Sequence, residues 1–546
     1  MKSNFKRLGL AAAVTAVAVG YAGVSNAQSV SRSVGNLGDT AIIPYYTVTG
    51  NWVTGVHVIN SSEATQVVKL RLRRASDSAD ALDFNLILSP KDEWTGFIDD
   101  SSGDIVLATD DASCTAPIRA DGRFAMPEIY RLGAEEGYIE VIGMGQPVNE
   151  LQPIALAAKH TSAGVPGDCS GVASNFFAYT SDTAKGNIDN ETTHQTASQA
   201  AATAYLTAGA TCVDAQGKAI TLVPGVGATG AGVCVNNFTD SGDALKVSFF
   251  MRDATGGTEM GGNAVHLSEF ADAAWMTNQE FGLFSGDTQG FDYPDLNGGP
   301  WIGATDDTTL RGKYEDLRAG DVLGVLEILN DWSVAAVRNV QTDWVVTMPG
   351  QYVMLDTFVA LNAGSIAACG TETSEGGLTP ECGFREFPEL AALTLYDREE
   401  GEIVPEDGDL VISPAPPGEQ NVLVFPYEVN VVEWTDGSTE PVIGSSYNTT
   451  VDPTVLGEFG WASLSVTSSP SKDQQVCTWD ETTNVVGGSF PNAVFDTAGP
   501  RAGVCSTVSG AVPITGFVAW QRSFESNPAA NYGRMIDHSF VTSTGT

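Results

Sequence analysis

The chain has 546 residues, with 27 Lys and Arg against 67 Asp and Glu, and a formal charge of −40. Nucleic-acid binding draws on a basic surface that releases counterions, so this balance sets nucleic acid aside as a partner. Charged residues make up only 17% and hydrophobic ones 42%, which supplies a large core and excludes a disordered polyanion.

Residues 1–27 read as a signal peptide. Lys2, Lys6 and Arg7 give a positive start, an apolar stretch runs from Leu8 to Val24, and Ser25-Asn26-Ala27 offers small residues at a cleavage site. Removing this segment takes away three bases and no acid, so the mature chain carries −43. No later run approaches the roughly 18 to 20 apolar residues that cross a bilayer as a helix, and no transmembrane segment is expected in the mature chain.

Beyond residue 28 the apolar residues recur mostly with period two, between turn residues, which predicts strands. Residues 52–59 form the first. After Asn60-Ser61-Ser62-Glu63, Val68, Leu70 and Leu72 alternate with Lys69, Arg71 and Arg73; after a polar turn, Leu82, Phe84, Leu86 and Leu88 alternate with Asp83, Asn85 and Ile87. These three predict an antiparallel meander. Further strands are expected at 138–142, 244–251, 322–328, 334–340, 344–348, 352–361, 391–396, 422–425, 429–434, 461–466 and 512–520.

Two stretches depart from this pattern. Leu267, Phe270, Ala271 and Ala274 have helical spacing, which predicts an amphipathic helix over 263–281, and the Ala/Thr/Gln-rich segment 191–208 suggests a second. Residues 210–242, dense in Gly, Ala and Thr, read as an insertion. The expected fold is mainly β: antiparallel β-sandwich domains with one or two inserted helices and disulfide-clasped loops. Composition divides it into an N-terminal β-sandwich region (28–165), a mixed region (166–385) and a C-terminal β region (386–546).

All eight cysteines lie in the mature part, and none forms a CxxC pair. An even set in an exported chain reads as a disulfide framework. Eight half-cystines allow 105 full pairings; the simplest joins neighbours, Cys114 with Cys169, Cys212 with Cys234, Cys369 with Cys382, and Cys477 with Cys505.

Patterns that carry chemistry are sparse. His57, His160, His194, His266 and His538 are too scattered for an HExxH zinc site. Gly167-Asp168-Cys169-Ser170-Gly171 resembles a nucleophile elbow with a thiol, for which His160 could be the base, but an exported Cys in an even set reads first as a half-cystine. Gly225 to Gly230 has GxGxxG spacing without a following helix. Trp52, Trp94, Trp275, Trp301, Trp332 and Trp434 could stack on sugars or simply fill the core.

Calcium fits the composition best, because it takes six to eight oxygen ligands from carboxylates and carbonyls. Candidate ligands are Asp287, Asp292, Asp295 and Asn297 in one loop and Asp407 and Asp409 in another, with further acids at Asp99, Asp100, Asp104, Asp110, Asp111, Asp306 and Asp307; solvated acidic turns are the plainer account. Against this background Lys69, Arg71, Arg73 and Arg74 form a basic stripe. It could pair with acids such as Asp83 across the sheet, or receive an acidic surface of another copy or an anionic cell-surface polymer.

The run Val58-Ile59-Asn60-Ser61-Ser62, with the strands that follow it to Trp94-Thr95-Gly96, and Thr342-Asp343-Trp344-Val345-Val346-Thr347-Met348-Pro349 together resemble a group of uncharacterised, signal-peptide-bearing proteins of Gram-negative bacteria. The resemblance implies export and a β-rich fold and assigns no site residues. The sequence therefore points to a secreted or cell-surface structural or interaction protein, a coat, matrix or adhesive component without an evident catalytic site. The alternative is a secreted or periplasmic hydrolase or glycan-binding protein with an acidic site.

Overall fold

A computed structural model describes residues 30–172, 238–271, 316–350, 389–399, 422–467 and 511–542, apart from short breaks, together with short strand pieces between them. The expected strand at 352–361 is described only at 354–356, and the expected helix at 191–208 lies outside the described residues. The fold is mainly β and antiparallel, as the period-two patterns require.

The first sandwich uses strands β1 (Ser31–Arg32), β2 (Thr40–Thr47), β3 (Trp52–Asn60), β4 (Gln66–Arg74), β5 (Asp80–Leu88), β6 (Glu93–Asp99), β7 (Val106–Ala108), β8 (Cys114–Ala116), β9 (Arg123–Ala125) and β10 (Glu136–Pro147). It is completed by β11 (Leu245–Asp253), β12 (Thr258–Asn263) and β13 (Val265–Ser268). One sheet has the order β1-β13-β2-β10-β4-β5-β8, and the other β12-β11-β3-β6-β7-β9. Val68, Leu70 and Leu72 of β4 face Val56, Val58 and Trp94 of the second sheet in one core, where Phe84 stacks on Phe124 at 4.4 Å. Fully burying each such side chain contributes about 1.5–3 kcal/mol.

Two expectations are corrected here. The first strand of the expected meander does not pair with the second: β3 lies between β11 and β6, while β4 pairs with β5 and β10. Asn60 turns the chain from one sheet to the other, its amide donating to the Ala64 and Ser89 carbonyls at 2.7 and 2.9 Å. The expected helix from 263 is replaced at its start by β13, whose Val265, His266 and Leu267 pair with Ile42, Ala41 and Thr40. A neighbouring strand that needs partners outweighs weak helical spacing.

The second sandwich is built from β14 (Glu327–Ala335), β15 (Val340–Thr347), β16 (Glu389–Tyr396), β17 (Val429–Trp434), β18 (Asn448–Asp452), β19 (Phe459–Thr467), β20 (Thr515–Arg522), β21 (Tyr532–Asp537) and β22 (Ser539–Val541). These belong to a 12-stranded sheet that turns on itself at the β14–β15 hairpin, where Ala336 and Asn339 stand outside the ladder and interrupt the strand expected at 334–340. One arm holds β16, β19, β14 and β22; the other holds β21, β20, β15, β17 and β18. Between them Trp332, Trp344 and Trp434 pack together, with ring centroids 5.9 and 5.1 Å apart.

The two sandwiches share core. Trp344, Val346 and Val432 point into the second sandwich, whereas their strand neighbours Val345, Val431, Phe517 and Ala519 join the first core. Within that arm β15 and β17 are therefore buried at every position, and they bury Gln341, Thr342, Asp343, Asn430 and Glu433 along with their apolar residues. The mixed region 166–385 is shared out accordingly, β11–β13 going to the first sandwich and β14–β15 to the second.

Short helices α1 (Pro153–Ala158) and α2 (Cys169–Val172) cover one end of the first sheet, and the Cys114–Cys169 bridge ties α2 to β8 with Cα atoms 4.9 Å apart. Elsewhere the ladder sets Cys477 opposite Cys505 in neighbouring antiparallel strands, and Cys212 lies in a two-residue strand. Cys234, Cys369 and Cys382 lie outside the described residues.

Candidate functional site

The basic stripe is interior. Lys69, Arg71 and Arg73 alternate with the core residues of β4 and so project from the opposite face of that sheet, yet all are at most 2% exposed. The register explains how they are held: Arg71 lies between Asp83 on β5 and Glu140 on β10, with Lys69 opposite Asn85 and Arg73 opposite Tyr138. Asp83 receives Lys69 Nζ at 3.5 Å and Arg71 Nη2 at 3.2 Å. Arg73 Nε donates to Glu140 at 3.0 Å, its Nη1 donates to the Ser78 carbonyl at 3.0 Å, and its Nη2 lies 4.0 Å from Asp295.

Among the described residues three cations thus meet three carboxylates in one buried row, and each carboxylate offsets part of the cost of taking a cation out of water. Arg74, at the strand end, pairs instead with Asp77 at 2.6 Å. The stripe follows the cross-strand pairing account, and in this conformation its first three members present no exposed surface to a partner.

The calcium candidates resolve unevenly. Asp295 is fully buried beside Arg73, where it serves charge balance. Asp287, Asp292, Asn297, Asp407 and Asp409 lie outside the described residues. Among the described residues no group of three His, Cys, Asp or Glu side chains is arranged to hold a metal. Asp104 forms an ion pair with Arg131. Cys169 is a half-cystine, so the thiol-elbow reading falls, and His160 Nδ1 lies 3.1 Å from Ser89 Oγ and 3.4 Å from Asp92.

The aromatic candidates mostly go to the core: Trp94, Trp332 and Trp434 are fully buried, and Trp52 donates through Nε1 to the Ile443 carbonyl at 3.2 Å. Trp275 and Trp301 lie outside the described residues. The sequence reading missed Trp461, which is 40% exposed on the outer face of β19 and stacks on Tyr396 at 3.8 Å. Its signal was present, because it stands out of phase with the buried Ala462 and Leu464.

The junction between the sandwiches holds a second polar group that the sequence reading did not single out. Glu136, at the start of β10, accepts from Tyr45 Oη at 2.6 Å, Ser445 Oγ at 2.5 Å and the Ser446 amide at 2.8 Å. Asp343 and Glu433 face each other across β15 and β17 on the side turned toward the first sandwich. The Ile443 amide donates to Asp343 at 2.7 Å and Asn448 donates to Glu433 at 3.1 Å. Loop 441–447 is thereby pinned by carboxylates from both bodies. Burial raises Asp343 well above the usual carboxylate range, with Glu433 adding to the effect, and burial raises Glu433 to about 7.

A cleft opens at the same junction, farther along β20, between Arg32 and Asn263 on one side and Asp537 on the other. Its volume is about 120 Å³. Compared with known proteins, the chain matches no family model, no curated protein and no solved structure.

Proposed function

We propose that the protein is exported and serves as a structural or interaction component at the cell surface or in the extracellular matrix. The observation that supports this most is the joining of two sandwiches through β15 and β17, strands buried at every position, whose residues contribute to both cores. The charge row buried on the face of the first sheet that is turned away from the sandwich core and the carboxylate-pinned loop at the junction spend polar groups on holding the joined sandwiches together. The Cys114–Cys169 bridge suits an oxidising compartment, and the resemblance to exported Gram-negative proteins points the same way.

Fractionation of cells and medium, followed by size exclusion and electron microscopy of the native protein with and without EDTA, tests the reading. Sheets, filaments or surface-associated particles are the expected result, and their loss in EDTA would assign calcium to the assembly. A monomer confined to the medium that releases sugar or acyl products from a substrate panel overturns it.

A further inference from the structure

The two sandwiches use their arginines differently. On the first, Arg71, Arg73, Arg74, Arg131 and Arg252 each meet a carboxylate. On the second, Arg398, Arg522 and Arg534 form no ion pair among the described residues, although the chain has 67 acids for 27 bases. They lie over rings instead: Arg534 over Trp520 at 4.2 Å, Arg522 over Phe524 at 5.1 Å and Arg398 over Phe459 at 4.9 Å.

The register gathers two of these pairs. β20 and β21 set Trp520 opposite Arg534 and Arg522 opposite Tyr532, and residues paired in this way share a sheet face. Trp520 packs on Ala335 and Val340, where the sheet turns on itself. Tyr532 lies 5.6 Å from Trp520 and 6.4 Å from Phe524, centroid to centroid. A continuous ladder results, from Arg534 through Trp520, Tyr532 and Phe524 to Arg522.

The ladder is open and held in place. Tyr532 is 45% exposed, and Arg534 is exposed beside it. Asn531 fixes the connection between the two strands: its Oδ1 accepts the Phe524 amide at 2.6 Å, and its Nδ2 donates to the Gly256 carbonyl of the first sandwich at 2.6 Å. A guanidinium already laid on a ring gives up less freedom on binding than one that moves freely.

Charge and shape together select the partner. Two cations without acids of their own call for an anionic complement. Trp, Tyr and Arg are also the residues that carry most of the energy of protein interfaces, and their rings need side chains packed against them, which a folded surface supplies and a small anion does not. An extended polyanion is held by a long row of cations, whereas this ladder has two. The chain itself carries short acidic turns, such as the exposed Asp110 beside Asp111.

We propose that the ladder on β20 and β21 docks an acidic turn of a second copy of this chain. Two ladders repel each other, so the contact joins unlike surfaces of neighbouring copies. The inference rests on the reading of the protein as a structural or interaction component and names its partner.

The test is sedimentation velocity on the full mature chain over a concentration series, with EDTA present so that no divalent ion bridges acids. Reversible association of the wild type is expected, weakened about tenfold or more by Arg534→Glu and by Tyr532→Ser. Lys159→Glu, at an exposed position on the first sandwich, changes the net charge as much as Arg534→Glu and should weaken association far less. All three positions face solvent, and circular dichroism checks that each variant is folded. Association indifferent to both ladder variants, or weakened equally by Lys159→Glu, overturns this contact and leaves the structural reading standing. A wild type that stays monomeric also overturns the contact, and its presence on the cell surface or free in the medium then decides the structural reading separately. Binding of polygalacturonate that depends on Arg534, with no association between copies, makes the partner a polyanion and overturns the proposal.

Discussion

Replacing Glu433 with Gln tests whether the junction holds its acids protonated. Burial lifts Glu433 from an ordinary 4.5 to about 7 and pushes Asp343 well above 3.8. A carboxyl raised by folding keeps a proton that the unfolded chain has released. Its contribution to stability is complete below about pH 4.5 and is lost as pH rises through about 7. At about 1.4 kcal/mol for each pH unit, Glu433 alone accounts for roughly 3 kcal/mol over that interval.

The buried imidazoles work with the opposite sign. Desolvation lowers His266 and His538 from 6.5 to about 4, so their contribution is present above pH 6.5 and is lost as pH falls toward 4. Between pH 4.5 and 6.5 two raised carboxyls oppose two lowered imidazoles, and the wild-type protein is expected to show a nearly flat profile. Above pH 6.5 the acids act alone and stability falls. Glu433→Gln keeps an oxygen for the Asn448 amide and removes one falling slope. Its stability should rise by about 3 kcal/mol from pH 4.5 to 6.5, decline less than wild type between pH 6.5 and about 7, and run parallel to wild type once Glu433 is ionised in both states. Urea midpoints at half-unit steps of pH read both profiles; curves for variant and wild type that run parallel below about pH 7 would refute the reasoning.

Arg73→Met strands Glu140 in the interior, and its measured loss of stability should reach about 3–5 kcal/mol, as for other broken buried pairs; a change under 1 kcal/mol in urea unfolding would show that water reaches the row. Cys114→Ser with Cys169→Ser opens a 55-residue separation, for which chain entropy predicts a loss of about 4 kcal/mol, read as a lower urea midpoint. Nonreducing proteolysis and mass mapping should join the Cys477 and Cys505 peptides, since the ladder sets these residues opposite each other; a bridge from either to another cysteine refutes that register.

Alternation made much of this fold legible. In β4 the phase of Val68, Leu70 and Leu72 against Lys69, Arg71 and Arg73 gave both the strand and its two faces, and only the fate of the charged face was hidden. Whether a polar face meets water depends on distant chain: Asp295 is more than 200 positions from Arg73 in sequence, and nothing local in β4 announces it. The Trp residues show the converse limit, because Trp332 and Trp461 both occur in alternating strands while their phases send one inside and one out. The junction acids had a local signal. Asp343 interrupts a run from Val340 to Thr347 in which every residue is buried, and an acid at such a place needs either a partner or a proton.

The acid excess and the buried charges answer to different forces, and salt separates them. The row of Lys69, Arg71 and Arg73 pairs with Asp83, Glu140 and Asp295 in the interior, while most of the 67 acids of the chain have no such cation to meet and repel one another. Screening length falls from about 10 Å at 0.1 M to about 3 Å at 1 M salt. Raising NaCl should therefore stabilise the folded chain, while the buried row, out of reach of ions, neither gains nor loses. At matched ionic strength MgCl2 and CaCl2 should follow NaCl if the acidic loops are only solvated turns. A melting temperature that rises further with CaCl2 alone, and falls back on adding EDTA, refutes that account and supports Asp287 and Asp407 with their neighbours as calcium ligands.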